Sequence, residues 1–344
     1  FQEVADALLN LEKLGRDDIK ALVAGKQVKH ETVLANILTL LNTNLKFRKP
    51  DAWGTGNAGR ASMAARGVLN SVLTSDSILN WMDGSPRTIG YIWKALKGGI
   101  AVAMNNVQLR QAQAKKDIAA MLRDHYTQAE IMALSQTKIW VPSLNASLTK
   151  NQLLSMALNT GNEQNFDRII NDRGDVVVTR QGVIDAVTNQ LTENDWHFVN
   201  AFHAYINSFW GEIEAQSKRI TGVVPTKVDA IPQVQPYPWV TGGYYPIKYD
   251  SRLATSVSEY DQATTLKNLT SGRSAKAQTR NGHKSERLAS VDKPVLLDLA
   301  VGVGHVNDVI YDLELSEPVT STWRLINSPQ FKNAMMAHGA TAEA

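Results

Sequence analysis

The chain has 344 residues, of which 20% are charged and 43% hydrophobic, and its formal net charge is +3 at pH 7. This is the composition of a folded protein with a packed core, and so small a net charge does not by itself indicate a nucleic-acid-binding protein. The chain contains no cysteine, which excludes disulfide scaffolds, cysteine nucleophiles and zinc–cysteine sites. Since no uninterrupted apolar run approaches the roughly 20 residues of a membrane-spanning helix, we predict no transmembrane helix in this segment.

Helical periodicity dominates residues 1–148, which we predict to be an N-terminal helical region. The pattern already begins at Phe1, so we expect the chain to be part of a longer polypeptide. A basic, glycine-rich stretch from Lys46 to Gly59 lacks the Lys-Ser/Thr end of a phosphate-binding loop and is typical of a surface loop.

A long helix is predicted from Arg87 towards Tyr126, with a kink at Gly98-Gly99. Its middle, Asn105 to Lys116, is polar all round. Such a helix is typically exposed, spans a gap or pairs with a partner chain.

Residues 149–344 form the second predicted region, again mainly helical. Thr149 has the residue type of a helix N-cap, and the polar run Asn159-Thr160-Gly161-Asn162 predicts a helix break. A brief β-branched run, Val176-Val177-Val178, is followed by a predicted helix from Arg180 to Gln190.

The most apolar helix is predicted as one element of roughly 30 residues, from Leu191 to Gly222. Thr192 and Asp195 have capping-box spacing at its start, and Gly222 is a typical C-terminal stop. Large apolar side chains recur every three or four residues and predict the packing surface of the fold; they are Val199, Phe202, Ile206, Phe209 and Ile213, flanked by Trp196, Tyr205 and Trp210.

The composition changes after Gly222. Four prolines between residues 223 and 240, followed by Pro246, predict an extended segment over residues 223–250, with a short β element near Tyr244. Residues 264–294 carry seven Lys and Arg residues against Glu286 and Asp292, and they predict a polar basic arm that a partner would order. A helical stripe follows from Val306, and we expect Pro318 to end it before a final helix.

Several motifs suggest chemistry but have a simpler interpretation. Residues 295–304 resemble the first motif of a methyltransferase, yet too little chain follows to complete a doubly wound sheet. The histidines lack metal-ligand spacing and are predicted to be structural or surface residues; they are His197, His203, His283 and His305. Asp195, Glu212 and Glu214 are expected to be exposed on their helix. We predict no catalytic residue, no cofactor-binding residue and no metal ligand, and hence no enzyme in this segment.

The basic arm is the candidate site for nucleic acid, because spaced cations can follow a phosphate backbone without reading sequence. The candidate contacts are Lys267, Arg273, Lys276, Arg280, Lys284 and Arg287. A solvated loop is the simpler interpretation of the same residues. Trp239, Tyr244 and Tyr245 could stack on bases, but aromatic side chains more often anchor a proline-rich segment to its helical body.

A series of short motifs in the second region resembles a known family. The motifs are Leu153 to Glu163 with its continuation to Ile170, Leu191 to Trp196, Thr221 to Pro225, Gly242 to Asp250, Ala277 to His283 and Val309 to Leu313. Their order resembles a region of the large polyvalent, or ejection, proteins of tailed bacteriophages, which include virion RNA polymerase-type and antirestriction-type injected proteins. The resemblance covers roughly Thr149 to Gly339 and includes no catalytic motif.

The residue patterns predict a mainly α, elongated multi-helix body with a proline-rich extended segment and a minor β element. The resemblance implies a structural segment of an internal virion protein, held in the capsid and then ejected into the host periplasm or cytoplasm with the genome. Its expected partners are other virion proteins or further copies of itself, with DNA contacted through the basic arm. Two alternatives stay open: an accessory non-catalytic domain of an injected phage enzyme, and a nucleic-acid-binding module.

Overall fold

The computed structural model describes residues 31–43, 79, 82–83, 90–173, 176–248 and 295–337. These residues are mostly helical, as predicted. Residues 31–43 form α1, and a short helical turn, α2, leads through a π-helical turn at Lys94–Gly98 into the long helix α3. The remaining helices have these bounds: α2 Tyr91–Trp93, α3 Gly99–His125, α4 Gln128–Ala133, α5 Lys150–Asn159, α6 Glu163–Ile169, α7 Arg180–Gln190, α8 Glu193–Ser208, α9 Trp210–Thr221, α10 Ala300–Ile326 and α11 Pro329–Ala337.

Two small antiparallel hairpins interrupt the helices. In the first, β1 (Lys138–Val141) pairs with β2 (Ala146–Thr149), with Lys138 opposite Thr149. In the second, β3 (Asn171–Arg173) pairs with β4 (Val176–Val178). The minor β element is therefore confirmed, and the valine run forms one of the strands. The prediction of a β element near Tyr244 is wrong, because residues 241–248 form no regular structure.

The described chain divides into two compact units, one within residues 1–106 and 315–344 and the other within 107–314. Neither boundary coincides with the predicted one at residues 148 and 149.

The core of unit 107–314 forms around α8. Trp196, Phe198, Val199 and Phe202 each expose only 1% of their surface. Burying an apolar side chain of this size contributes about 1.5–3 kcal/mol relative to leaving it in water. Helices on several sides supply the partners, among them Leu153, Leu158, Phe166, Val183, Val187, Val306 and Ile310. The predicted packing role of this helix is confirmed, although Phe198 was absent from the predicted stripe.

The other unit has a smaller core. Leu34, Ile37 and Leu41 on α1 form a stripe that packs with Leu96 and Phe331. The π-helical turn is stabilised from the side, because the Thr322 hydroxyl donates a hydrogen bond of 2.8 Å to the Leu96 carbonyl.

The helix ends confirm the local predictions. Thr149 and Thr192 form capping boxes with Gln152 and Asp195. Gly222 has φ 77° and closes α9 in the left-handed conformation, which glycine adopts without steric cost.

Two predicted helix bounds are wrong. The helix expected over Leu191–Gly222 is two helices, because Phe209 bonds back three residues to Ile206 and separates α8 from α9. Pro318 does not end α10, which continues to Ile326. A proline inside a helix removes one backbone hydrogen bond, which costs about 3 kcal/mol of stability. Burial of Ile310 before it and Leu325 after it favours continuing the helix.

The middle of α3 is not polar all round. Val107 and Ala114 are buried on one side of it. On the same helix, Arg110 forms ion pairs with Glu212 at 2.9 Å and Glu314 at 2.8 Å. Arg110 of this polar stretch therefore binds neighbouring helices of the same unit.

Candidate functional site, a buried polar junction

The extended segment, residues 223–248 in the described chain, docks on the turn that follows α5. The backbone N–H of Gly243 donates to the Gly161 carbonyl at 3.1 Å, and the N–H of Gln233 donates to the Thr160 carbonyl at 2.9 Å. Asn162 donates from its side chain to the Gly243 carbonyl at 3.2 Å. These hydrogen bonds hold two turns together that are about 80 residues apart in sequence. We call this region, with the side chains described next, the junction.

Buried asparagines complete the hydrogen bonds of the junction. Asn165 donates from its side chain to the Tyr245 carbonyl at 2.7 Å and to Asn159 Oδ1 at 3.2 Å. Asn162 accepts from the Asn165 N–H at 3.0 Å, and so caps α6. Because a buried amide left unpaired costs about 1–3 kcal/mol, each of these bonds fixes the position of the segment.

His203 lies in the junction as a buried, neutral imidazole. Its Nε2 is 2.9 Å from the Leu158 carbonyl, so Nε2 carries the proton and donates it to that oxygen. Burial lowers the pKa of His203 to about 4, against the opposing effect of this hydrogen bond. Among the described residues, Nδ1 has no hydrogen-bond partner. The predicted structural role of this histidine is confirmed.

Two glycines make the close approach around the ring feasible. A Cβ on Gly161 would lie 2.7 Å from the Gly243 carbonyl oxygen and 2.7 Å from His203 Cε1. A Cβ on Gly243 would lie 2.8 Å from His203 Cγ. Gly242 has φ 67°, which turns the chain in the left-handed region. Any side chain at these positions would separate the segment from the helices.

Tyr245 extends the junction to the start of α10. Its side chain is fully buried, and its ring centroid lies 6.2 Å from that of Phe202. The phenol donates to the Asp298 carbonyl at 3.2 Å and accepts from the Gly302 N–H at 3.2 Å. Burial raises the pKa of Tyr245. This tyrosine therefore anchors the segment, as the simpler interpretation predicted, and its ring cannot stack on a base.

The segment also binds the exposed side of α8. The Trp239 ring stacks on His197 at 4.0 Å and on Tyr237 at 5.2 Å. Asn200 accepts from the Thr241 N–H at 3.2 Å and from its hydroxyl at 2.9 Å. Trp239 is thus an anchor of the segment as well.

A second polar centre, the carboxylate cluster, joins α3, α5 and α8. It consists of Asp195 with Tyr126, Lys150 and Thr192. Asp195 Oδ1 accepts from the Tyr126 hydroxyl at 2.9 Å and from Lys150 Nζ at 2.8 Å. Oδ2 accepts from the N–H and the hydroxyl of Thr192, both at 2.8 Å. Burial, and then the charge of Asp195, raise the pKa of Tyr126.

The predicted exposure of Asp195 is wrong, because its side chain is fully buried. The capping-box position directs the carboxylate towards the start of its own helix, and Tyr126 and Lys150 converge on it from two other elements. Four donors occupy its oxygens. The cluster therefore has the arrangement of a structural lock between three helices.

The remaining predicted residues are placed as follows. Glu212 and Glu214 are exposed, as expected. The His305 ring lies 5.4 Å from that of Tyr244. Residues 295–304, which resemble a methyltransferase motif, lead into α10, so Gly302 and Gly304 are helical and form no cofactor turn. The candidate nucleic-acid contacts and His283 lie outside the described residues; the contacts are Lys267, Arg273, Lys276, Arg280, Lys284 and Arg287.

In the part of the chain that the structure describes, no three His, Asp or Glu side chains are grouped closely enough to hold a metal ion. Over the same residues, every helix is too short or too polar to cross a membrane. Comparison of the chain with family models, with curated proteins and with solved structures gives no match.

The sequence interpretation did not identify the junction as a site. A signal was present, since Asn159, Asn162 and Asn165 are three apart in an otherwise apolar region. Short amides at helical spacing beside a glycine are typical of a turn that binds another backbone. What the sequence alone does not contain is the partner, residues 242–245.

Proposed function

We propose that this chain is a non-catalytic structural segment of a bacteriophage internal virion protein. In this proposal the protein is held in the capsid, is ejected with the genome, and helps to form or accompany the conduit for DNA. Its partners are other virion proteins or further copies of the chain.

The junction carries the proposal. The phage-protein resemblance rests on short motifs spread over the second region, and two of them, Leu153 to Glu163 and Gly242 to Asp250, meet there through direct hydrogen bonds. Residues of these two motifs make the contacts between them. Gly161 and Gly243 allow the two backbones to approach closely, and Asn162 donates a hydrogen bond from one motif to the other. The resemblance therefore concerns residues that work together in one folded unit.

The chemistry of the buried groups also supports a structural role. A general acid or base must come within hydrogen-bond reach of its substrate. Asp195 and His203 expose 0% and 3% of their surface. Both bind groups of the protein itself. They hold segments of the chain against one another.

The proposal predicts that the purified chain self-associates or binds a virion protein. The chain, immobilised, is incubated with disrupted particles of the phage that encodes it, and bound proteins are identified by mass spectrometry. Light scattering of the free chain gives its oligomeric state. We expect at least one known virion component to be retained, or an assembly larger than a monomer.

A matched bait for this experiment is the Gly243→Ala variant, in which the junction is disrupted. Equal capture by both baits would indicate non-specific adsorption to apolar surface. A monomer that retains no virion component would contradict the proposed function.

DNA contact through the basic arm is a second proposal, supported by the charge of residues 264–294, which carry seven cations against two carboxylates. Changing Arg273, Lys276, Arg280 and Lys284 to alanine is expected to weaken binding to duplex DNA. Each lost phosphate contact lowers the salt dependence, so the slope of log K against log salt should become less negative by about 3 to 4. Fluorescence anisotropy with a labelled duplex over a salt series measures both quantities.

The control variant removes four positive charges from another part of the chain. Lys115, Lys116, Lys138 and Lys218 are exposed in the described chain, and their alanine variant should keep the parent slope. If the arm variant and the control have equal slopes, the arm does not follow the phosphate backbone.

A further inference from the structure

The extended segment packs against one buried ionisable side chain, His203, whose ring is closely surrounded. Gly161 and Gly243 both pack against His203, at distances that leave no space for a single methyl group on either glycine. Its Nε2–H is already bonded to the Leu158 carbonyl. The only nitrogen that can take up a proton is Nδ1, which has no acceptor among the described residues.

Protonation of Nδ1 would create two unfavourable features at once. A positive charge would be enclosed in the core, and a new N–H donor would face no acceptor. The ring cannot rotate towards water while both glycines remain in contact with it. The strain is relieved when Gly243 moves away, and with it the segment that Gly243 anchors.

No charged group compensates a proton on this ring. The end of α5 presents the Leu158 carbonyl and Gly161, and the extended segment presents Gly242 and Gly243. Among the described residues, burial and the Leu158 hydrogen bond are the influences that change the pKa of His203, with no contribution from a carboxylate. On α8 itself, His197 is exposed and stacks on Trp239.

We propose that the junction is an acid-released latch, in which a proton on Nδ1 of His203 detaches the extended segment from α5 and α8 while the helical core stays folded. The segment is the element that opens because it contains Gly243, which contacts the His203 ring, and because residues 223–248 form no helix or strand. Its buried side chains, among them Val234 and Tyr245, separate from the core with it, whereas α7 and α8 also have their own helical hydrogen bonds.

The direction of the pH effect follows from the lowered pKa. In the docked state the pKa of His203 is about 4, whereas a histidine released into water has a pKa of about 6.5. The released state therefore binds the proton first. The stabilisation of the docked state is complete above about pH 6.5 and is lost as the pH falls from there to about 4. Since each pKa unit is tenfold in an equilibrium constant, opening should increase about a hundredfold between pH 7 and pH 4.

The absence of cysteine from the chain allows a specific test. Val234 lies in the extended segment with 4% exposure, and Val187 lies on α7 with 0% exposure. The variants Val234→Cys and Val187→Cys each place one thiol, whose labelling rate with dithiodipyridine is measured from pH 7 to pH 4. Each rate is divided by the rate for the same variant in urea at the same pH. We expect the protection of Val234→Cys to fall about a hundredfold, while Val187→Cys stays protected. An equal loss at both positions would mean global acid unfolding and would overturn the proposal.

Two histidine variants assign the proton. His203→Gln keeps an amide that can donate to Leu158 but does not titrate, so in that background Val234→Cys should stay protected at pH 4. His125→Gln changes a histidine at the end of α3, whose ring lies beside Asn194 and Phe198, and should keep the parent response. A parent-like response in His203→Gln, or loss of the response in His125→Gln, would contradict the assignment. If His203→Gln does not protect the probe at pH 7, the comparison of the two probes in the parent chain and in His125→Gln still decides.

Discussion

Replacing Asp195 with alanine is expected to lower the free energy of unfolding by about 3 kcal/mol. The substitution removes the common acceptor of Tyr126, Lys150 and Thr192. The buried Tyr126 hydroxyl then has no partner in the cluster, and the capping box at the start of α8 is lost. The cost lies at the lower end for a buried ion pair because the Lys150 side chain is 30% exposed and can turn towards water. Urea denaturation followed by circular dichroism measures the change.

Glu193→Ala is the matched control, since Glu193 is an exposed carboxylate in the same first turn of α8. It removes the same charge from the same helix end, and should cost no more than about 1 kcal/mol. If the two variants are equally stable, the carboxylate cluster does not join the three helices as inferred.

Introducing one methyl group at Gly243 is expected to be as damaging as removing the buried carboxylate. The Cβ of Gly243→Ala would lie 2.8 Å from Cβ and Cγ of His203, inside the contact distance of real carbon atoms. Because the His203 ring is confined, the extended segment must move, and its hydrogen bonds to Gly161 and Asn165 weaken. We expect a loss of about 3 kcal/mol in stability. Faster hydrogen exchange in residues 231–245 should accompany the loss.

Gly211→Ala provides a control of opposite sign. Gly211 lies in α9, and no atom is within 4 Å of the position its Cβ would occupy. Since alanine favours the helix over glycine, this variant should gain about 0.5–1 kcal/mol. Destabilisation by both variants to the same extent would show that the effect comes from the residue type and not from the junction.

Together the carboxylate cluster and the junction show where polar side chains are used in this protein. Each connects elements far apart in sequence, and each is centred on a short buried side chain, Asp195 in the cluster and Asn162 in the junction. Such buried polar contacts fix one arrangement of helices where apolar packing alone would accept several. The proposed structural role requires this property, because a binding surface must keep a fixed geometry.

Much of the secondary structure was predictable because its signals are local. Thr149 and Thr192 each start a helix by forming a capping box with the residue three positions later. Gly222 ends α9 through its own left-handed backbone conformation. The bounds of α7 follow from apolar periodicity between a threonine cap and Leu191. The prolines of residues 223–248 exclude regular helix wherever the segment lies. These features depend on at most four neighbouring residues, which the sequence displays directly.

The tertiary structure decided what depends on distant residues. Asp195 has the sequence pattern of an exposed cap, and its burial follows from Tyr126, which is 69 positions away. A proline usually ends a helix, but Pro318 is tolerated because buried side chains before and after it hold α10 in place. The junction requires two turns 81 positions apart to share a hydrogen bond. Amphipathic pattern and capping thus specify the helices, whereas burial, and with it the charge state of His203 and the role of each polar group, is a property of neighbours that only the folded chain brings together.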